Sequence, residues 1–98
     1  MGGTQGTPTP NLQPASDDQI NGVVVWIRPA PDRVQVTFTK TDGTSAGAVL
    51  EYNHPGYAAV YSLLMASGAN RKQITLDLVT SSITGLANTI NWVQLNFQ

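Results

Sequence analysis

The spacing of apolar residues along the chain changes repeatedly, and each change predicts an element. INGVVVWIRP (20–29) is a β-branched and aromatic run closed by Pro29 and Pro31, which predicts a strand and its end. RVQVTFTK (33–40) alternates strictly: Val34, Val36 and Phe38 share one face, Gln35, Thr37 and Thr39 the other. That is the pattern of a half-buried strand. The Asp-Gly pair of TDGT (41–44) signals a hairpin, so SAGAVLEY (45–52) is expected to return antiparallel, with Gly47 as a candidate bulge.

A helical period follows. Asn53 is placed to cap a helix running from about Pro55 to Ser67, Pro55 suits its first turn, and Gly68 or Asn70 offers the left-handed stop. KQITLDLV (72–79) alternates again, with Ile74, Leu76 and Leu78 opposed to Thr75, Asp77 and Val79. After the polar loop TSSITGLAN, the closing TINWVQLNFQ places Val93, Leu95 and Phe97 on one face and Trp92, Gln94 and Asn96 on the other. The order β-β-β-α-β-β is that of an OB-fold, although other small α+β folds share it. The predicted fold class is mainly β (α+β), a five-stranded OB-fold-like Greek-key barrel with one helix between strands 3 and 4. Residues 1–19 are rich in Gly, Thr, Pro and Gln, with Leu12 as the one large apolar residue after Met1, and read as a flexible linker or arm. Residues 20–98 read as one domain.

The helix has an unusual surface. From Tyr52 to Asn70 there is no Asp, Glu, Lys or Arg. Val60, Leu64, Tyr57, Tyr61 and Met65 spread over one broad arc, with Leu63 and Ser67 at its margin, and this side is expected to cap the core. Ala58, Ala59, Ser62, Ala66 and Ala69 fall on the opposite arc. Small residues let helix backbones approach closely, so this face suits an oligomer interface. The plainer reading is that alanine is a good helix former exposed to water.

Composition removes several function classes. Five basic and six acidic residues give a net charge of −1, without the clustered cations that nucleic acid or an anionic membrane requires. No cysteine is present, so disulfides and thiolate chemistry are excluded. Neither a basic-then-apolar signal segment nor an apolar run of about 18 residues occurs, and a soluble chain without membrane insertion is expected.

Catalytic material is sparse. The lone histidine, His54, lies in the turn NHPG, and no His spacing fits zinc, so no metal or cofactor is expected. Asp17 and Asp18 fall in the tail, Asp32 and Asp42 in turns, which leaves Glu51 with Asp77 as the one conceivable pair. The chain is therefore not expected to be an enzyme. Binding residues are easier to find. Trp92 lies beside Gln94 and Asn96, and an aromatic plate flanked by amides suits a sugar, whose C–H face stacks while its hydroxyls hydrogen-bond. Interface and core remain open for Trp92 at this point, whereas Trp26, in an apolar strand, is expected inside. Tyr52 and Tyr57, on either side of His54, are weaker candidates for which core or interface contact is the simpler reading.

The block YAAVYSLLMASGANRKQITLDL, with the opening GVVVWI and closing INWVQL strands, resembles the pentameric B subunits of AB-type bacterial toxins, especially the subtilase-cytotoxin-like branch. The resemblance implies an OB-fold, a homo-oligomer of five copies with helices around a central pore, cell-surface glycans as ligands, an A-type subunit as partner, and a secreted or periplasmic location. Members of that family usually carry a disulfide, which this chain lacks, and no sugar-site motif transfers residue by residue. Two other readings stand beside it: a purely structural oligomerisation module, and an OB-fold binding single-stranded nucleic acid, for which Arg28, Arg33, Lys40, Arg71 and Lys72 are few and scattered.

Overall fold

The computed structural model describes residues 16–97. Its elements follow the expected order: β1 (Ser16–Pro29), β2 (Arg33–Lys40), β3 (Ser45–Glu51), α1 (Tyr57–Asn70), β4 (Ile74–Val79) and β5 (Thr89–Leu95). The strands close into a barrel in the order β1-β2-β3-β5-β4, with β4 returning to β1. All neighbours are antiparallel except β3 and β5, which meet in parallel at Val49 and Thr89. This is a mainly β, OB-fold-like barrel with its helix between the third and fourth strands.

Closure depends on β1 serving two neighbours. Its first half, Ser16–Gly22, pairs with β4, and its second half, Gly22–Pro29, pairs with β2. Gly22 stands at the crossover, opposite both Lys40 and Ile74. A Cβ there would lie 2.5 Å from the Thr39 carbonyl oxygen, so the strands reach this separation only because the side chain is missing. The sheet thus begins at Ser16 and not near Ile20: Asp18 and Gln19 lie opposite Leu78 and Asp77. Of the tail expected over residues 1–19, residues 1–15 lie outside the described residues, while 16–19 belong to β1.

Alternation in β2 is as predicted, with Val34, Val36 and Phe38 buried. The hairpin also forms where Asp-Gly signals it. Gly43 takes φ 89°, and the Asp42 carboxylate accepts bonds from the Thr44 N–H (2.9 Å) and hydroxyl (2.6 Å). These bonds, the hydroxyl's first, hold the Asp42 pKa below its ordinary value. Gly47 is not a bulge: it sits in register opposite Thr37.

The register shifts at three other places, one of them between Ser16 and Asp18 where β1 pairs with β4. In β1 the register slips between Val24 and Trp26. Without the extra residue, Val24, Trp26 and Arg28 would share the inner face and a guanidinium would enter the core. With it, Val24 and Ile27 point in, and Trp26 and Arg28 turn out. Trp26 is therefore 39 % exposed, not a core residue, and the Arg28 guanidinium lies 4.6 Å from its ring centroid. In β5 the register slips opposite Asp77 and Leu78, which lets Ile90 and Val93 both face inward. The strand ends at Leu95, so Phe97, expected on the inner face, stands 83 % exposed beyond it.

Helix α1 closes one end of the barrel. Val60 and Leu64 are buried as expected, and Tyr57 and Tyr61 pack partly against the core. Met65, expected among them, is 50 % exposed. The true inner edge is Ser67, which is fully buried: its hydroxyl accepts the Val24 N–H (3.1 Å) and donates to the Lys72 carbonyl (2.7 Å). The bulge frees a backbone donor and the helix supplies its acceptor. Neither predicted terminus is used. Gly56, not Asn53, is the N-cap, and Arg71, not Gly68 or Asn70, takes the left-handed conformation at φ 55°. The Lys72 N–H then bonds the Ser67 carbonyl at 3.1 Å. The described helix is too short and insufficiently apolar to cross a membrane.

Candidate functional site

Strands β5, β4 and β1 carry a row of uncharged polar side chains on their outer surface. Pairing sets Gln94 opposite Thr75 and Thr75 opposite Asn21, so the three stand abreast. The Thr75 hydroxyl donates to Asn21 Oδ1 at 2.6 Å, Asn96 Nδ2 donates to Thr75 Oγ1 at 3.3 Å, and Gln94 Nε2 donates to Asn96 Oδ1 at 3.1 Å. One step along β5, Trp92 lies opposite Asp77 and is 37 % exposed. The structure therefore brings Trp92, Gln94 and Asn96 to one outer surface. It adds Asn21 and Thr75, whose role depends on strand pairing that no local pattern reveals. Each amide is oriented by a neighbour while retaining polar atoms for a ligand. Asp77 is buried and accepts from Asn91 Nδ2 at 2.9 Å.

A second surface belongs to α1. Ala58, Ala59, Ser62 and Ala69 are exposed and Ala66 is half-buried, so the small-residue face does turn away from the barrel. The Ser62 hydroxyl folds back onto the Ala58 carbonyl at 2.9 Å and presents little polarity outward. Beside it, Val25 (57 % exposed), Trp26 and Met65 extend the uncharged area across to the β1 bulge. A groove of about 270 Å³ runs between helix and strand, lined by Val25, Trp26, Met65, Gly68 and Ala69 among others.

The titratable groups act as ties. The Gly56 N–H donates to His54 Nδ1 at 2.8 Å, and His54 Nε2 lies 2.6 Å from the Asn91 carbonyl. The ring is thus the Nε2–H tautomer, fastening the start of α1 to the β5 bulge. Tyr52 donates to the Ala30 carbonyl at 2.7 Å and Tyr57 stacks on Tyr61, 5.8 Å between centroids. Burial, with Tyr52 and Tyr61 nearby, pushes the Tyr57 hydroxyl pKa up. Glu51 and Asp77, the conceivable catalytic pair, have separate partners. Glu51 Oε2 accepts from the hydroxyls of Ser82 (2.7 Å) and Thr89 (2.9 Å), which anchors the loop between β4 and β5. Arg33 pairs with Asp32. Among the described residues no group of three or more metal-binding side chains gathers.

The Ser82 hydroxyl is the largest influence on Glu51; it outweighs desolvation and, with Thr89, holds the carboxyl below its ordinary value of 4.5. A depressed carboxyl stabilises the fold above its unfolded pKa, and that contribution disappears as pH falls through the folded value. Glu51→Gln should therefore cost about 0.5–1.5 kcal/mol at neutral pH, discounted for partial exposure, and progressively less in acid. Urea melts of both proteins across the acid range check this; a gap that stays constant with pH would assign Glu51 no such role.

No protein-family model matches the chain, and no curated protein matches it.

Proposed function

We propose that this domain is a non-catalytic, ring-forming module that binds cell-surface glycans in the manner of a toxin B subunit. The observation that carries this reading is the half-exposed Trp92 indole beside the oriented row Gln94, Asn96, Thr75 and Asn21. A pyranose lays its C–H face on the indole while its hydroxyls exchange bonds with the amides and the threonine. The site is open and shallow, so one copy should bind in the millimolar to micromolar range, roughly −4 to −8 kcal/mol. The outward, charge-free face of Ala58, Ala59, Ser62, Ala66 and Ala69 supports assembly with further copies of the chain. Several copies meeting one surface gain about 10²–10⁴-fold in avidity without new contacts. In this reading the protein works outside the cytoplasm, and an A-type subunit is its further partner. Nucleic acid has no place in it, because the cations are dispersed over β1 (Arg28), the two ends of β2 (Arg33, Lys40) and the residues after α1 (Arg71, Lys72).

A glycan array probed with the intact oligomer and with a Trp92→Ala variant that still assembles tests the proposal. Binding by the first and its loss in the second are expected. If the intact protein binds no glycan, the domain is a structural oligomerisation module. If the variant binds unchanged, Trp92 is not the stacking residue.

A further inference from the structure

We infer that the outer face of β1, β2 and β3 carries a second saccharide site, in which Trp26 and the Leu86–Ala87 segment flank one neutral sugar ring over a floor of Gln35, Thr37 and Gly47. The inference rests on the reading of the domain as a glycan binder but concerns different strands from the Trp92 surface. The cleft has a volume of about 220 Å³, enough for a single ring. No ionisable side chain lines it. The β1 bulge is what turns the indole outward to form one wall, and the Arg28 guanidinium fixes the ring from outside the cleft. Leu86 and Ala87, held over Val49 where the Val49 N–H bonds the Asn88 carbonyl at 3.0 Å, form the other.

The floor supplies the polar contacts. Gln35 and Thr37 are half-buried and directed outward, and neither side chain has a hydrogen-bond partner among the described residues, so an amide and a hydroxyl face the cleft unused. Gly47 leaves the space between them open: a Cβ there would meet nothing closer than the Val36 carbonyl oxygen at 3.7 Å. Apolar walls with neutral donors and acceptors beneath match a neutral pyranose, which is apolar on its faces and hydroxylated at its rim. A nucleotide would stack equally well but needs a cation for its phosphate, and the lining offers none.

The chain has two tryptophans, so a Trp92→Phe variant isolates Trp26 as the fluorophore. It is titrated with methyl glycosides of neutral hexoses and N-acetylhexosamines, reading Trp26 emission and the amide chemical shifts of Thr37 and Gly47. A saturable response in the millimolar range is expected, weakened by about tenfold or more when Gly47→Val fills the cleft. Valine suits a strand at an open position, and Gln35→Ala, which removes a floor contact without adding volume, is the second variant. No saturable response to any glycoside, undiminished affinity in both cleft variants, or a response to nucleosides alone would overturn the inference. Failure of the Trp92 proposal looks different. Glycan binding kept by Trp92→Ala and lost in Gly47→Val would move the site to this cleft. The opposite pattern would leave the Trp92 surface standing alone.

Discussion

A Gly22→Ala variant should lose roughly 2–4 kcal/mol of stability, against a total on the order of 5–15 kcal/mol for a domain of this kind. The added methyl would sit 2.5 Å from the Thr39 carbonyl oxygen and 3.0 Å from Phe38 Cδ2. The first obstacle is backbone held in the β1–β2 ladder, and the second is a side chain buried at the centre of the core. Neither can move without disturbing the point where β1 passes from β4 to β2. Gly47 provides the control, because a Cβ there meets only the Val36 carbonyl oxygen, at an ordinary contact distance of 3.7 Å. Denaturant melts should show a large shift in midpoint for Gly22→Ala and a small one for Gly47→Ala. Equal midpoints would mean that the strands separate at Gly22 at little cost.

Removing the Ser67 hydroxyl should be nearly as damaging. In Ser67→Ala the Val24 N–H, at a buried residue, loses its acceptor, and the Lys72 carbonyl, on an exposed residue, loses its donor. An unsatisfied buried group costs about 1–3 kcal/mol, and the Val24 N–H alone is expected to cost that much, since water can reach the Lys72 carbonyl. The local signature is more specific than the global loss. The Val24 amide should exchange with solvent faster, and the last turn of α1 should fray, because the bond from the Lys72 N–H to Ser67 depends on the same anchoring. A variant within about 0.5 kcal/mol of the parent, with Val24 still protected, would show that water replaces the hydroxyl.

These two positions also mark where the sequence becomes hard to read. Strict alternation in RVQVTFTK and QITLDL places Val34, Val36, Phe38, Ile74, Leu76 and Leu78 inward, because a two-residue period has only one consistent phase when one face is buried. That phase is what a bulge breaks. GVVVWI contains three valines in succession, so nothing local says which is the extra residue, and Trp26 consequently turned from an expected core residue into a surface one. The same applies to Ile90 and Val93 around Asn91. The helix stop misled for a different reason: glycine and asparagine favour the left-handed cap, but the hydrogen bonds of Ser67 with Val24 and Lys72 fix the helix end one residue beyond Asn70. Gly68 and Asn70 consequently remain helical, and Arg71 takes the strained conformation. Of the candidate sites, the Trp92, Gln94 and Asn96 surface was legible from alternation in one strand. Asn21 and Thr75 were not, since only long-range pairing brings them beside it. The cleft under Trp26 needed both the bulge and the return of the 80–88 loop.

We propose that this domain works as an assembly, built through the uncharged face that α1 turns outward. The most direct test is the mass in solution, measured by light scattering at tens of micromolar, for the parent and for Ala66→Glu. Ala66 is half-buried on that face, and burying an unpaired carboxylate at each contact should cost about 1–3 kcal/mol or more per site. The account predicts a multiple of the 10.4 kDa chain mass for the parent, five copies if the toxin-like ring forms, and a shift toward single chains in the variant. A parent protein that scatters as one 10.4 kDa chain at that concentration would contradict it.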